Sequence, residues 1–303
     1  MRIAAAPVSW GVFEVTLTSE VPGPIEFLDD VVELGYAGTE SGSPGYLGRP
    51  SEARRLLADR GLDLAGTFLP FDFVRQEVQE RNVEAVESAL DFVEALAPDG
   101  SEPVIVLSDD YQREERMAVA GNVAQHPEVA LPTDDWPAFT TNVNRVAAVC
   151  ADRGFTVSFH PHVGSLVETP DEIERLMGGL QPSLIGLCMD IGHVTFGGGD
   201  AAQLTAAYSG AISHVHAKDV DRGILGRIIH RGGGLGDAWE QGVFCDLGAG
   251  GADVAGCLRI LEEDGYTGWV VVEQDRLPSG GGFLDAVRRS QRSNREFLKN
   301  LGW

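Results

Sequence analysis

Histidines and carboxylates gather at the ends of short apolar runs in the second half of this 303-residue chain. Six of its seven histidines lie past residue 150. One run closes Ser158-Phe159-His160-Pro161-His162, and the next Met189-Asp190-Ile191-Gly192-His193. A third reads His214-Val215-His216-Ala217-Lys218-Asp219, and a later one closes Val272-Glu273-Gln274-Asp275. Near the N-terminus another run ends in Glu40. Imidazole and carboxylate together suit a divalent ion such as Mn²⁺, Co²⁺, Fe²⁺ or Zn²⁺, and either group can also move a proton. In a strand, residues two apart share a face, so His160 and His162 point the same way, as do His214 and His216. Lys218 continues the second row or pairs with a carboxylate. His193 follows Asp190 by three positions, after a glycine. That spacing suits a supporting or substrate-facing group, or a helix cap, better than a ligand. Any single polar residue closing an apolar strand is equally well read as a cap facing water. Four neighbouring strands each ending in a potential ligand weaken that reading.

The elements that position these residues alternate eight times. Of the apolar runs at Ile3–Val8, Tyr36–Glu40, Leu62–Leu69, Pro103–Leu107, Phe155–His160, Leu184–Asp190, Ile212–His216 and Trp269–Glu273, most are near-continuous rather than alternating. That is the pattern of strands buried on both faces, as in a parallel sheet covered by helices. Helical patterns fill the gaps at Pro24–Leu34, Ser51–Arg60, Gln76–Leu96, Asp134–Arg153, Pro170–Met177, Ala201–Tyr208, Ala252–Asp264 and Phe283–Leu301. Ser51 reads as an N-cap, and Thr169 with Glu172 as a capping box. Glycines after several helices supply the left-handed residue that turns the chain into the next strand. Eight such units predict an α/β fold, a single (β/α)8 TIM barrel spanning 1–303. A doubly wound open sheet is the structural alternative, but no glycine-rich phosphate loop follows the first strand. Two long connections, 108–132 and 218–250, follow strand C-termini, where barrels build their sites. They are expected to act as lids or substrate-binding segments. The stretch Gly232–Gly236 is too irregular for a phosphate loop and precedes no clear helix.

Composition narrows the class. Lys+Arg is 23 against Asp+Glu 46, a formal charge of −23, which argues against nucleic acid and anionic membranes as partners. The four cysteines, Cys150, Cys188, Cys245 and Cys257, have no zinc-site spacing. They read as reduced and mostly buried, which fits the cytoplasm. The N-terminus runs directly into an apolar strand, with no secretory pattern. No run reaches the length of a membrane span. There is no Gly-x-Ser-x-Gly elbow and no Walker loop.

With these residues assembled, the chain resembles the xylose isomerase-like barrel superfamily of sugar isomerases and epimerases, and within it the inosose dehydratases of inositol catabolism. The resemblance runs almost end to end. It is carried by Ala6-Pro7-Val8-Ser9-Trp10-Gly11, Gly38-Thr39-Glu40, His160-Pro161-His162, Asp190-Ile191-Gly192-His193, His214 through Asp219 and Val272-Glu273-Gln274-Asp275. The resemblance implies that Asp190, His216 and Glu273 hold a metal ion. The matching strand-five place, a glutamate in the epimerases, is His160 here. Loss of that glutamate argues against an epimerase that uses two opposed carboxylates, and it is compatible with dehydration of a keto-inositol or similar polyhydroxylated ketone. The implied metal is Mn²⁺ or Co²⁺, with Zn²⁺, Fe²⁺ and Mg²⁺ as further choices. Glu273 or a histidine would take the proton beside the carbonyl, and His162 or His193 would protonate the departing hydroxide. Glu40, Trp10 and Lys218 would position ring hydroxyls. A small-molecule partner is expected, and a homo-oligomer is compatible with the sequence. The alternatives are a ketose 3-epimerase or inosose isomerase, and, in another class, a non-catalytic carbohydrate-binding barrel. An endonuclease on this fold would need a basic groove, which the charge opposes.

Overall fold

In a computed structural model, which describes residues 1–13, 21–110 and 113–303, eight parallel strands close into a barrel. They are β1 (Arg2–Ala5), β2 (Gly38–Glu40), β3 (Asp63–Phe71), β4 (Val104–Asp109), β5 (Val157–Phe159), β6 (Gly186–Asp190), β7 (Ile212–Ala217) and β10 (Trp269–Val272). β1 pairs with β10 from Arg2↔Trp269 to Ala5↔Val272, which leaves the barrel no open edge. The eight expected strands are all present. Most are trimmed at their ends, while β3, β4 and β7 run further, to Phe71, Asp109 and Ala217. Alternate residues divide between two environments. Ile3, Ala5, Val270 and Val272 join the large core beneath the helices, whereas Ala4, Ala65 and Val271 pack together in a separate cluster. His216 is the register partner of Val271, so its imidazole shares the barrel-interior face.

The expected helices form, with corrections at their starts. Pro50, not Ser51, opens the second helix (Pro50–Ala58), whose N-cap is Arg49 with no side-chain cap bond. A proline in the first turn needs no N–H partner there, so the cap is dispensable. Gln76–Val78 and Thr133–Asp135 are 3-10 turns leading into Gln79–Leu96 and Trp136–Asp152. The Thr169/Glu172 capping box is present. Gly35 and Gly61, which end the first two helices, sit at φ +79° and +64°, where a side chain would be strained.

Both long connections carry more structure than the sequence suggests. Residues 111–112 of the first lie outside the described residues. The remainder contains the helix Glu114–Ala118 and single 3-10 turns. The second is no open lid. β8 (Asp219–Val220) pairs antiparallel with β9 (Phe244–Cys245), and between them lie the helices Arg222–His230 and Leu235–Glu240. The second helix directly follows the stretch expected to precede none. The excursion has its own small core of Val220, Leu225, Ile228, Leu235 and Phe244, packed on Val163 and Phe196. A Cβ at Gly234 would collide with the Met117 carbonyl, so a bare backbone lets the Leu235–Glu240 helix dock on the first connection. None of the described helices is long and apolar enough to cross a membrane.

One buried ion pair ties the first connection to the segment that follows β5. Arg116 is fully buried and meets both Glu172 oxygens at 3.0 Å, while its Nε donates to the Ser165 carbonyl at 2.6 Å. Glu168 accepts from the Gly121 and Gly164 amides at 2.7 and 2.8 Å. Removing one partner of a buried pair leaves an uncompensated charge. Arg116→Leu is therefore expected to destabilise the protein by about 3 kcal/mol, read from the urea midpoint at unchanged slope. A variant within about 0.5 kcal/mol of the parent, the range of ordinary surface substitutions, would contradict this role.

Candidate active site

Strand parity and register bring four of the expected residues to one point. Asp190 and His216 are register partners across β6 and β7. Glu273 follows β10, its amide bonded to the Ala217 carbonyl, and His160 follows β5, its amide bonded to Leu107. One donor atom from each of His160, Asp190, His216 and Glu273 lies within 4.8 Å of the others. His160 Nε2 is 3.3 Å from Asp190 Oδ2, and His216 Nδ1 is 3.5 Å from the same oxygen and 3.3 Å from Glu273 Oε2. These are edge lengths of a coordination polyhedron with bonds of roughly 2.1 Å.

The hydrogen bonds fix which atoms face that point. Strand six runs straight into the helix Ile191–Phe196, and Asp190 caps it: Oδ1 accepts from the His193 amide at 2.7 Å. Oδ2 is thereby left for the cluster. Glu40 Oε1 accepts from His214 Nε2 at 2.8 Å and His216 Nε2 at 3.0 Å. With Nε2 donating, the neutral His216 carries its lone pair on Nδ1, and this buried atom has no hydrogen-bond partner among the described residues. A lone pair facing two carboxylate oxygens needs a positive charge between them. Without a metal ion that charge is a proton. Burial opposes it, but Cys188, Glu273, Glu40 and Asp190 outweigh burial and hold His216 well above the usual imidazole range. Glu40 is held below the carboxylate range, burial being overcome by His216 and His214. The residues present thus fit a divalent cation, with His160, Asp190, His216 and Glu273 as its holders.

Beside this cluster lies Lys218, the continuation of the His214, His216 row. Its buried Nζ is 2.8 Å from Asp275, 2.9 Å from Glu273 and 3.3 Å from Asp190, and 3.0 Å from His193 Nε2. His162 donates from Nδ1 to the Val163 carbonyl at 2.7 Å, so its neutral form carries the ring lone pair on Nε2. Burial first, then His160 and Lys218, keep it well below the ordinary imidazole range. Lys218, His162, Glu273 and Asp275 floor a cleft lined also by Pro7, Val8, Val12, Phe13, Phe68 and Trp239.

A family model described as xylose isomerase-like TIM barrel matches residues 28–301. The chain belongs to this family. Among its relatives, the rhizopine catabolism protein MocC of Rhizobium meliloti is 33% identical over 92% of this chain and 83% of its own length. The inosose dehydratase of Lactiplantibacillus plantarum is 28% identical over 97% and 95%. Solved structures share the fold at low identity. The IolI protein with a zinc atom bound superposes with a TM-score of 0.69 at 14% identity, covering 99% of this chain and 98% of its own. The probable 3-DHS dehydratase AsbF of Bacillus anthracis gives 0.68 at 13%, covering 99% of each.

Two of the expected site residues, Trp10 and His193, are not among those that line the cleft. Trp10 does not reach the cleft. The chain turns at Pro7–Trp10, and the fully buried indole packs on Phe27 with centroids 4.9 Å apart and donates to Asp30. His193 lies behind His162, ring centroids 4.0 Å apart, with Nδ1 accepting from the Val163 amide. It is 1% exposed and does not line the cleft, so it supports His162 and Lys218 instead of touching substrate. Glu40 lines the cleft, but its Oε1 is engaged by two imidazoles, so it orients His216 first. Sequence reasoning missed Asp275, although it shares the parity of Glu273. It also missed Phe13, Phe68 and Trp239, for which no local pattern existed.

Asp190→Ala is expected to abolish stoichiometric binding of Mn²⁺ or Co²⁺ in a titration. Glu40→Gln should keep the metal but bind it about 10- to 100-fold more weakly, as for loss of a partner behind a ligand histidine. Equal affinities in Glu40→Gln and parent would remove Glu40 from that role.

Proposed function

We propose that this chain is a divalent-metal-dependent hydro-lyase that removes water from a keto-inositol or a closely similar polyhydroxylated cyclic ketone. The observation that carries the reading is the cluster of His160, Asp190, His216 and Glu273 at the floor of a cleft that also presents His162 and Lys218. The inosose dehydratases among the relatives support it, as does the histidine at the strand-five place.

The bound ion, Mn²⁺ or Co²⁺ in this reading, would act as a Lewis acid on the ketone oxygen and lower the cost of the negative charge that develops there. The rest belongs to the chain. His160, Asp190, His216 and Glu273 hold the ion, and Glu40 and the Asp190 cap bond fix two of them. A proton leaves the hydroxyl-bearing carbon beside the ketone, and its electron pair becomes the C=C bond of an enediolate. We assign this proton to His162 Nε2 over Glu273, because Glu273 Oε2 already faces Lys218 and His216. The next carbon then loses its hydroxyl with the C–O electron pair. His162, now protonated, returns the proton, so hydroxide leaves as water. The enol that remains tautomerises to a dione. Lys218 and Asp275 supply a donor and an acceptor for ring hydroxyls. The cleft is buried enough to strengthen these interactions over their value in water.

The decisive assay is incubation of the Mn²⁺- or Co²⁺-loaded protein with 2-keto-myo-inositol, following dione absorbance. The expected result is metal-dependent turnover. His162→Gln should lower kcat by about 100-fold or more with metal content unchanged. Turnover of a ketohexose without any dione would replace this reading with the epimerase. Metal-independent sugar binding without turnover would replace it with a binding barrel.

A further inference from the structure

The cleft has a second wall whose chemistry the proposed reaction does not use. Besides the charged side chains, the cleft is lined by Val12, Phe13, Phe68 and Trp239. Phe13 meets Trp239 edge to face, centroids 5.7 Å apart and planes at 63°. The Trp239 Nε1–H is buried and has no acceptor among the described residues. A buried indole N–H nearly always has a partner, and one left without costs free energy. Trp239 sits on the Leu235–Glu240 helix, whose place is set by the docking of Gly234 against Met117 and by the small core under Leu235 and Ala238. The indole is thus carried on an anchored element that lines the cleft, and its Nε1–H has no partner among the described residues.

We infer that Trp239 is the substrate-ring platform of this cleft: its face covers the C–H side of the ring, and Nε1–H donates to a ring hydroxyl oxygen. A six-membered ring with mainly equatorial hydroxyls directs its axial C–H bonds to both faces. It therefore offers an apolar surface to the indole while its rim of oxygens reaches Lys218, Asp275 and the Trp239 N–H. A ring placing an axial hydroxyl against the indole forfeits that contact. The selected class is then an equatorially substituted cyclic polyol ketone, which rests on the dehydratase reading. The wall itself requires only a polyol ring.

Two readouts keep the failures apart. The first is KM and kcat on 2-keto-myo-inositol. The second is calorimetric binding of scyllo-inositol, which has no ketone and cannot be dehydrated, to the metal-loaded protein. Trp239→Phe keeps an aromatic face and loses one donor, and should raise KM and Kd about fivefold with kcat within about twofold. Trp239→Ala should raise them on the order of fiftyfold, with metal content and circular dichroism unchanged in both. Unchanged KM and Kd in the two variants would overturn the inference, since an indole that only packs on its own helix predicts that result. Trp239-dependent scyllo-inositol binding without inosose turnover would sink the dehydratase reading and leave the platform standing. A wild-type protein that neither turns over the ketone nor binds the polyol overturns both.

Discussion

The mouth of the barrel is organised by a surplus of buried negative charge. Glu40, Asp190, Glu273 and Asp275 are each under a tenth exposed, and the ammonium among them is Lys218. Burying a carboxylate costs several kcal/mol unless it is paired. One ammonium and the imidazole protons of the histidine cluster meet part of that demand. The histidines are arranged so that Nδ1 of His216, an atom without a hydrogen-bond partner among the described residues, points at the two carboxylates. A divalent ion there satisfies the imidazole lone pair and the carboxylates together, which a hydrogen-bonded proton does only for one oxygen at a time.

Much of the surrounding structure follows from holding that arrangement still. The register of β6 on β7 places Asp190 beside His216. The helix that starts at Asp190 takes one of its oxygens and so aims the other. Glu40, reaching across from β2, fixes the tautomer of two histidines at once. The excursion after β7 closes over His193 with Phe244, centroids 5.7 Å apart, and keeps water away from the back of the site. The cleft that remains has a polar floor and an aromatic wall, as small-ligand sites commonly do.

The barrel was legible because most strands are buried on both faces and so read as near-continuous apolar runs, stopped by a glycine or a polar end. The ligand candidates were legible for a related reason: a period of two puts His214, His216 and Lys218 in one row, and the strand ends must converge. Trp10 misled because sequence placed it at a strand end, where a 3-10 turn with Gly11 at φ +80° swings the indole away from the cleft. His193 was left open between a supporting and a substrate-facing group, and the helix that contains Gly192 sets it behind His162. The helices at Arg222–His230 and Leu235–Glu240 escaped notice because their glycine-rich flanks disfavour helix locally. Their order comes from packing on Val163 and Phe196, which no short window reveals. Trp239 was hidden with them.

The central claim is that imidazole and carboxylate, not thiolate, hold a divalent ion at the barrel mouth. Cys188 gives that claim an internal competitor, since it also lies within reach of His160 and His216. Burial pushes its thiol up to about 11, which disfavours the thiolate a metal needs. X-ray absorption of the Co²⁺-loaded protein separates the two directly. The predicted result is one ion per chain with a shell of nitrogen and oxygen at roughly 2.1 Å and imidazole outer scattering. A sulfur scatterer near 2.3 Å, or no cobalt retained, would contradict it.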